Sequence, residues 1–256
     1  MKRGLKIKLG LIGYPLSHSF SPRYFTEKFK ALNIEDRWSY EAFPLRDFPD
    51  LAGWMKEKEL RGLNITLPHK TRAAAAVDDR DDWAHKSGSV NTILLRPEGS
   101  LSGFNTDAPG FLKSLKRVTS PVKTALILGT GGASRGVVAA LHSLGSEVVR
   151  VSRASGRGDC TYDELRDLRI ERFDLIVNTT PLGMYPKSKE APEIPYSRLK
   201  SHQILYDLVY NPAETVFLTR GKSSGCSIIN GLEMLKAQAE LSWEIWRAGL
   251  SPTTND

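Results

Sequence analysis

The chain has 256 residues, with 36 Lys and Arg against 29 Asp and Glu, so its net charge is +7 and its pI about 9.4. Charged residues at 25 % and hydrophobic residues at 40 % exclude a disordered or collagen-like chain. Two isolated cysteines, Cys160 and Cys226, exclude a disulfide framework and argue against a structural zinc site.

The N-terminal segment is broken by Lys6, Lys8 and Gly10, so it reads as a first strand and not a signal peptide. No apolar run approaches the roughly 18 residues that cross a bilayer. Reduced thiols and the missing leader predict a cytoplasmic protein with no membrane partner. The basic surplus suggests something anionic. Its Lys and Arg are mixed with acids in KEKEL, DDRDD and DELRDLRIER, with no basic run interleaved with aromatics, so no nucleic-acid partner is expected.

In chain order, KIKLGLIG (6–13) alternates as a strand. PRYFTEKFKAL follows as an amphipathic helix with Tyr24, Phe25 and Phe29 inward. RWSYEAF is a strand, DFPDLAGWMKEKEL a helix, RGLNIT a strand, and HKTRAAAAV and DDWAHKSG are helices. SVNTILLR, PEGSL and SGFNTD read as a strand, a turn and a short partner strand. Beyond Pro121, VKTALILG has the continuous apolar character of a central parallel strand covered on both faces. A small-residue helix (ASRGVVAALHSLG) and the strand SEVVRVS follow, then FDLIVNTT, ILYDLVY and CSIIN.

This alternation predicts an α/β protein of two domains. The first is an α/β substrate domain with a mainly parallel sheet, residues 1–107. The second is a Rossmann-type dinucleotide domain, residues 108–231. The last amphipathic helix, GLEMLKAQAELSWEIWRAGL, is expected to return to the first, adding residues 232–256. Its Trp243 and Trp246 suit a core or an interface equally, which leaves monomer and homodimer open.

Gly129, Thr130, Gly131, Gly132, Ala133 and Ser134 stand between a strand and a helix. Glycines there permit a tight turn and close approach of backbone N–H groups to a pyrophosphate, which the helix N-terminus attracts. The next strand ends in Ser152 and Arg153, with Arg157 beyond a small-residue turn and no acid before Asp159. An acid would bond a ribose 2′-hydroxyl. Arginines pair a 2′-phosphate, so NADP is the expected cofactor.

Further polar clusters end the strands of the first half. GYPLSHSFSP carries alternating serines, of which Ser21, ahead of Pro22, is also a plausible helix N-cap. NITLPHK puts a hydroxyl and an ammonium together, while Ser89–Thr92 and Asn105–Asp107 add amides and a carboxylate. Ligands of open α/β sheets bind beyond the carboxyl ends of strands, where Lys70 and Asp107 would form a proton-transfer pair. Taken singly, Lys70 reads as a solvated helix-start residue and Asp107 as the N-cap of PGFLKSL.

The ordered set GYPLSHSFSP, NITLPHK, GSVNTI, FNTD, GTGGASRG, NTTPLGM, YDLVYNP and NGLEMLKAQA resembles the shikimate dehydrogenase family and spans nearly the whole chain. The resemblance implies NADP-dependent reduction of 3-dehydroshikimate to shikimate, in the pathway to aromatic amino acids. It matches Lys70 and Asp107 to the catalytic acid–base pair. Ser19 and Ser21, assisted by Tyr210, match the substrate-carboxylate site; Thr66, Asn91 and Gln238 match contacts to the ring hydroxyls. Thr179, Leu208 and Gly231 match cofactor-side positions, the last near the nicotinamide. No metal is implied. Ser152 replaces a common Asn, Ser89 a usual Ala, and Phe104 and Ala108 a frequent Asp and Gly; Leu208 stands where some members have Met. His69 replaces a common Phe and is expected as a partly exposed ring.

A quinate/shikimate dehydrogenase with broader cofactor use would carry an acid near Arg153, where this chain has Arg157. A methylenetetrahydrofolate dehydrogenase gives no reason for the serine pair. A non-catalytic NADP-binding regulator would lack Lys70 or Asp107.

Overall fold

The alternating segment after Lys6 forms β1 (Ile7–Gly13), followed by α1 (Phe20–Ala31), β2 (Trp38–Pro44), α2 (Leu51–Glu57) and β3 (Leu60–Ile65). Next come α3 (Lys70–Ala76), β4 (Asp79–Arg80), α4 (Asp82–Ser87), β5 (Thr92–Leu95) and β6 (Leu101–Phe104). This computed structural model describes residues 6–17, 19–118 and 120–250; His18 of the serine motif lies outside them, as do the residues before Lys6. The chain divides into two compact units after Thr106, and the second ends at Gln238.

The first unit holds a mixed six-stranded sheet in the order β2-β1-β3-β5-β6-β4. β1 pairs with β2 and β3 in parallel, and β4 with β6; β5 runs antiparallel to both β3 and β6. The expected hairpin around PEGSL therefore makes the sheet mixed, since its short turn can only reverse the chain. Phe25 and Phe29 of α1 pack with Leu9, Trp38, Trp243 and Trp246 in one apolar cluster. Trp243 and Trp246 are core residues, 5 % and 0 % exposed, and the Trp246 indole donates to the Ile93 carbonyl at 2.9 Å. Tyr24 is half-buried and donates its hydroxyl to Glu240.

The second unit comprises α5 (Asp107–Ser114), β7 (Thr124–Leu128), α6 (Gly132–Ser143), β8 (Glu147–Ser152), β9 (Cys160–Thr161), β10 (Leu175–Asn178), β11 (Ile204–Asp207), α7 (Val216–Ser223) and β12 (Ser227–Asn230). Its sheet is parallel throughout, in the order β12-β11-β10-β7-β8-β9. Central strands β7 and β10 are buried along Ala125–Leu128 and Leu175–Asn178, which explains their unbroken apolar sequences. The final helix α8 (Leu232–Leu250) belongs to the second unit up to Gln238 and to the first from Ala239.

Three expectations are corrected. The N-cap of α1 is Ser19, not Ser21, because the helix already begins at Phe20; Ser19 makes no side-chain cap bond. Asp107 is the first helical residue of α5 and not its cap. His69 is 1 % exposed, because its Nε2 bonds the Leu45 carbonyl at 2.8 Å and the Phe48 ring lies 5.5 Å away. No helix among the described residues is long and apolar enough to cross a membrane.

Candidate active site

Backbone bonds gather the polar strand ends of the first unit. The Ile65 N–H donates to the Asn91 carbonyl at 2.9 Å, and the Val90 N–H to the Lys70 carbonyl at 2.9 Å. The Asn91 N–H in turn reaches the Phe104 carbonyl at 3.0 Å. Thr66, Lys70 and Asn91 thereby share one edge of the sheet, with Thr66 and Lys70 half-buried and Asn91 buried. Asn91 Nδ2 donates to Thr106 Oγ1 at 2.8 Å and its Oδ1 accepts the Thr106 N–H at 2.8 Å, so both ends of the amide are oriented.

Ser19 and Ser21 stand half-buried at the start of α1. The Ser21 hydroxyl bonds that of Tyr40, which donates to Asn64 Oδ1 at 2.7 Å. Burial raises the Tyr40 phenol above its ordinary range against the Ser21 bond, so Tyr40 stays a neutral hydroxyl.

In the second unit the turn after β7 is built for close approach. Gly129 has φ +111°, a conformation that L side chains rarely adopt, and a Cβ there would lie 2.8 Å from Thr179 Oγ1. Thr179 is fixed by donating through N and Oγ1 to the Leu128 carbonyl, at 3.0 and 2.8 Å. Ser134 Oγ donates to the Gly129 carbonyl at 2.8 Å, which locks the turn onto α6. A Cβ on Gly131, the N-cap residue, would meet no atom within 4 Å. Thr130, Gly132 and Ala133 around it are half-buried. Open space thus faces the first N–H groups of a helix twelve residues long, and this fits an anionic pyrophosphate.

Ser152 ends β8 at 5 % exposure, and its Oγ accepts the Ala154 N–H at 3.2 Å, bracing the turn that carries Arg153 and Arg157. Both arginines are exposed and, among the described residues, neither forms an ion pair. Arg150 is different: its guanidinium is held by Asp159 at 2.8 Å, which lowers the Asp159 carboxyl below its usual range. Asp159, the first acid beyond β8, is thus committed to Arg150.

The loop after β11 is held by residues that sequence reading did not single out. Asp207, fully buried, accepts from Asn178 Nδ2 at 2.9 Å, the Val209 N–H at 2.9 Å and Thr215 Oγ1 at 2.6 Å. Burial pushes its carboxyl up to about 6 against those three bonds. Asp207 lies within the quoted YDLVYNP, but its partners are separated from it by 29, 2 and 8 residues, so only the fold shows the cluster. It anchors Leu208, whose N–H donates to the Asn178 carbonyl at 2.9 Å, and Tyr210, whose phenol is raised by burial. Gly231 approaches this loop so closely that a Cβ would lie 2.1 Å from the Leu208 carbonyl oxygen. Gln238 Nε2 donates to the Leu235 carbonyl at 2.9 Å, and Asp107 is buried at 5 %. No group of three or more His, Cys, Asp or Glu among the described residues is placed to hold a metal ion.

A parallel, doubly wound sheet with a glycine turn, together with a mixed-sheet unit bearing a hydroxyl, amide and ammonium edge, defines a two-unit oxidoreductase architecture. The model of the shikimate dehydrogenase substrate-binding domain matches residues 11–93. An NADP(+) shikimate dehydrogenase of Carboxydothermus hydrogenoformans is 38 % identical over 259 residues, covering 95 % of this chain and 92 % of the relative. Shikimate dehydrogenase 1 of Peptoclostridium difficile superposes with a TM-score of 0.83 at 36 % identity, covering 97 % of this chain and 94 % of the other. The Thermus thermophilus shikimate 5-dehydrogenase, solved with NADP(H) and shikimate, gives 0.80 at 35 % identity, covering 94 % of each chain. The chain belongs to the shikimate dehydrogenase family and is an oxidoreductase.

Proposed function

We propose that this enzyme interconverts shikimate and 3-dehydroshikimate with NADP, through Lys70 and Asp107 as an acid–base pair. The observation that carries the reading is the stitching of Lys70 to Val90, which sets the ammonium residue beside Asn91 at the strand ends. It is supported by the similarity over 94 % of each chain to an enzyme solved with NADP(H) and shikimate.

Residues 1–107 and 232–256 form the substrate domain in this reading, and 108–231 the NADP domain. Ser19 and Ser21 bond the substrate carboxylate, with Tyr210 assisting. Thr66, Asn91 and Gln238 bond the ring hydroxyls and fix the ring. The N–H groups of Gly129–Ser134 hold the pyrophosphate, and Arg153 and Arg157 clamp the 2′-phosphate. Thr179, Leu208 and Gly231 would line the cofactor site, Gly231 near the nicotinamide, with Ser152 bracing the adenosine side. NADP held there would supply the hydride chemistry at the substrate carbon, as acceptor in its oxidised form and donor in its reduced form. Lys70 takes the hydroxyl proton during oxidation and gives it back to the carbonyl oxygen during reduction. Asp107 orients Lys70 and bonds the same substrate region.

Lys70→Ala tests this. A group acting on the transition state contributes about 10²–10⁴-fold, so kcat falls by that factor while the KM for shikimate changes little. An unchanged kcat contradicts the assignment.

A further inference from the structure

Four buried side chains of the first unit form a closed hydrogen-bonded ring. Asn91 Nδ2 donates to Thr106 Oγ1 at 2.8 Å, which leaves the Thr106 proton to another acceptor. Thr106 Oγ1 lies 3.3 Å from Ser242 Oγ, Ser242 Oγ lies 2.7 Å from Thr92 Oγ1, and Thr92 Oγ1 returns to Asn91 Oδ1 at 3.4 Å. Asn64 Nδ2 braces the ring from outside, 3.2 Å from Ser242 Oγ and 3.1 Å from Thr92 Oγ1.

Ser242 is the one member on a helix. It is fully buried and, among the described residues of α8, the only buried polar one, beside Ala239, Trp243 and Trp246. Alanine is the better helix former at such a position, and a buried hydroxyl is costly unless it is partnered. Its place in the ring gives it a purpose. With Ser242 as acceptor, the Thr106 hydroxyl turns its proton away from Asn91 and its lone pairs toward Asn91 Nδ2. Asn91 Oδ1, at 3.2 Å, competes with Ser242 Oγ, at 3.3 Å, for that proton, and removing Ser242 ends the competition in its favour. The Thr106 proton would then turn back onto the amide it serves.

We propose that Ser242 is a positioning residue for substrate recognition, which fixes the Asn91 amide through Thr106 and Thr92. The proposal rests on the reading of Asn91 as a ring-hydroxyl contact.

The test is steady-state kinetics on full-length Ser242→Ala, Thr106→Val, Asn91→Ala and the Ser242→Ala/Asn91→Ala double variant. Thermal melts of each confirm folding. One hydrogen bond corresponds to roughly a 2- to 10-fold change. Ser242→Ala is expected to raise the KM for shikimate about 5-fold, with kcat and the KM for NADP nearly unchanged. Thr106→Val gives a larger loss of the same kind. In the Asn91→Ala background Ser242→Ala adds nothing, because the group it positions is gone. If Asn91→Ala impairs shikimate use but Ser242→Ala has no effect, or costs the same factor in both backgrounds, the positioning role is overturned and the Asn91 reading survives. If Asn91→Ala leaves shikimate kinetics intact, the Asn91 reading fails and this proposal with it.

Discussion

The two units solve the same problem, placing polar groups at strand ends, by different chemistry. The first does it with neutral side chains: Tyr40, Asn64, Thr92, Thr106 and Ser242 satisfy one another inside the core. No acid or base other than His69 is buried among its described residues. The second does it with backbone and charge. Its glycine turn offers N–H groups, and a fully buried carboxylate, Asp207, anchors the loop that follows β11. Side chains suit a small polyhydroxylated substrate, whose hydroxyls each need a matched donor or acceptor. Backbone N–H groups and guanidinium suit phosphates.

The contrast can be broken at Asp207. Its carboxyl titrates near 3.8 when solvated and about 6 in the fold, raised by burial. Between those values the folded state keeps a proton that the unfolded chain has lost, so this group's contribution to stability declines as pH rises from about 4 to 6. Asn at this position keeps an acceptor for Val209 and can donate to Thr215. Relative to wild type, Asp207→Asn should therefore gain about 3 kcal/mol of stability between pH 3 and 7. Denaturant melts across that range measure it, and a pH-independent difference would show that the carboxylate is not strained by burial. Ser242→Ala, which alters only the neutral network of the first unit, should show no such slope.

A smaller effect sharpens the comparison at the cofactor. Arg153 is exposed and, among the described residues, forms no ion pair, so Arg153→Ala should leave folding intact and raise the KM for NADPH by about 10- to 100-fold. The KM for NADH should scarcely move. Equal losses with both cofactors would refute the phosphate clamp.

Much of this architecture was legible. The β7 and β10 sequences are unbroken apolar runs because parallel strands are covered on both faces, and GTGGAS sits between a readable strand and a readable helix. Other elements carried no signal. β4 and β9 are two residues each, too short for any period. α7 begins at Val216, where Thr215 caps it through Leu218, yet VFLTRGKS has only weak amphipathic spacing. The buried state of His69 depends on Leu45 and Phe48, which approach it only after folding. Ser242 reads as an interruption in an apolar stripe, and its partners lie 136 to 178 residues away.

The most direct measurement of the central claim is the absorbance of reduced nicotinamide when purified protein is given shikimate and NADP, with quinate and NAD in parallel. The account predicts strong turnover with shikimate and NADP, and little with either quinate or NAD. Comparable turnover with NAD would contradict the roles of Arg153 and Arg157. No turnover with any pair, despite NADP binding, would contradict the substrate site built on Ser19, Ser21, Lys70 and Asn91.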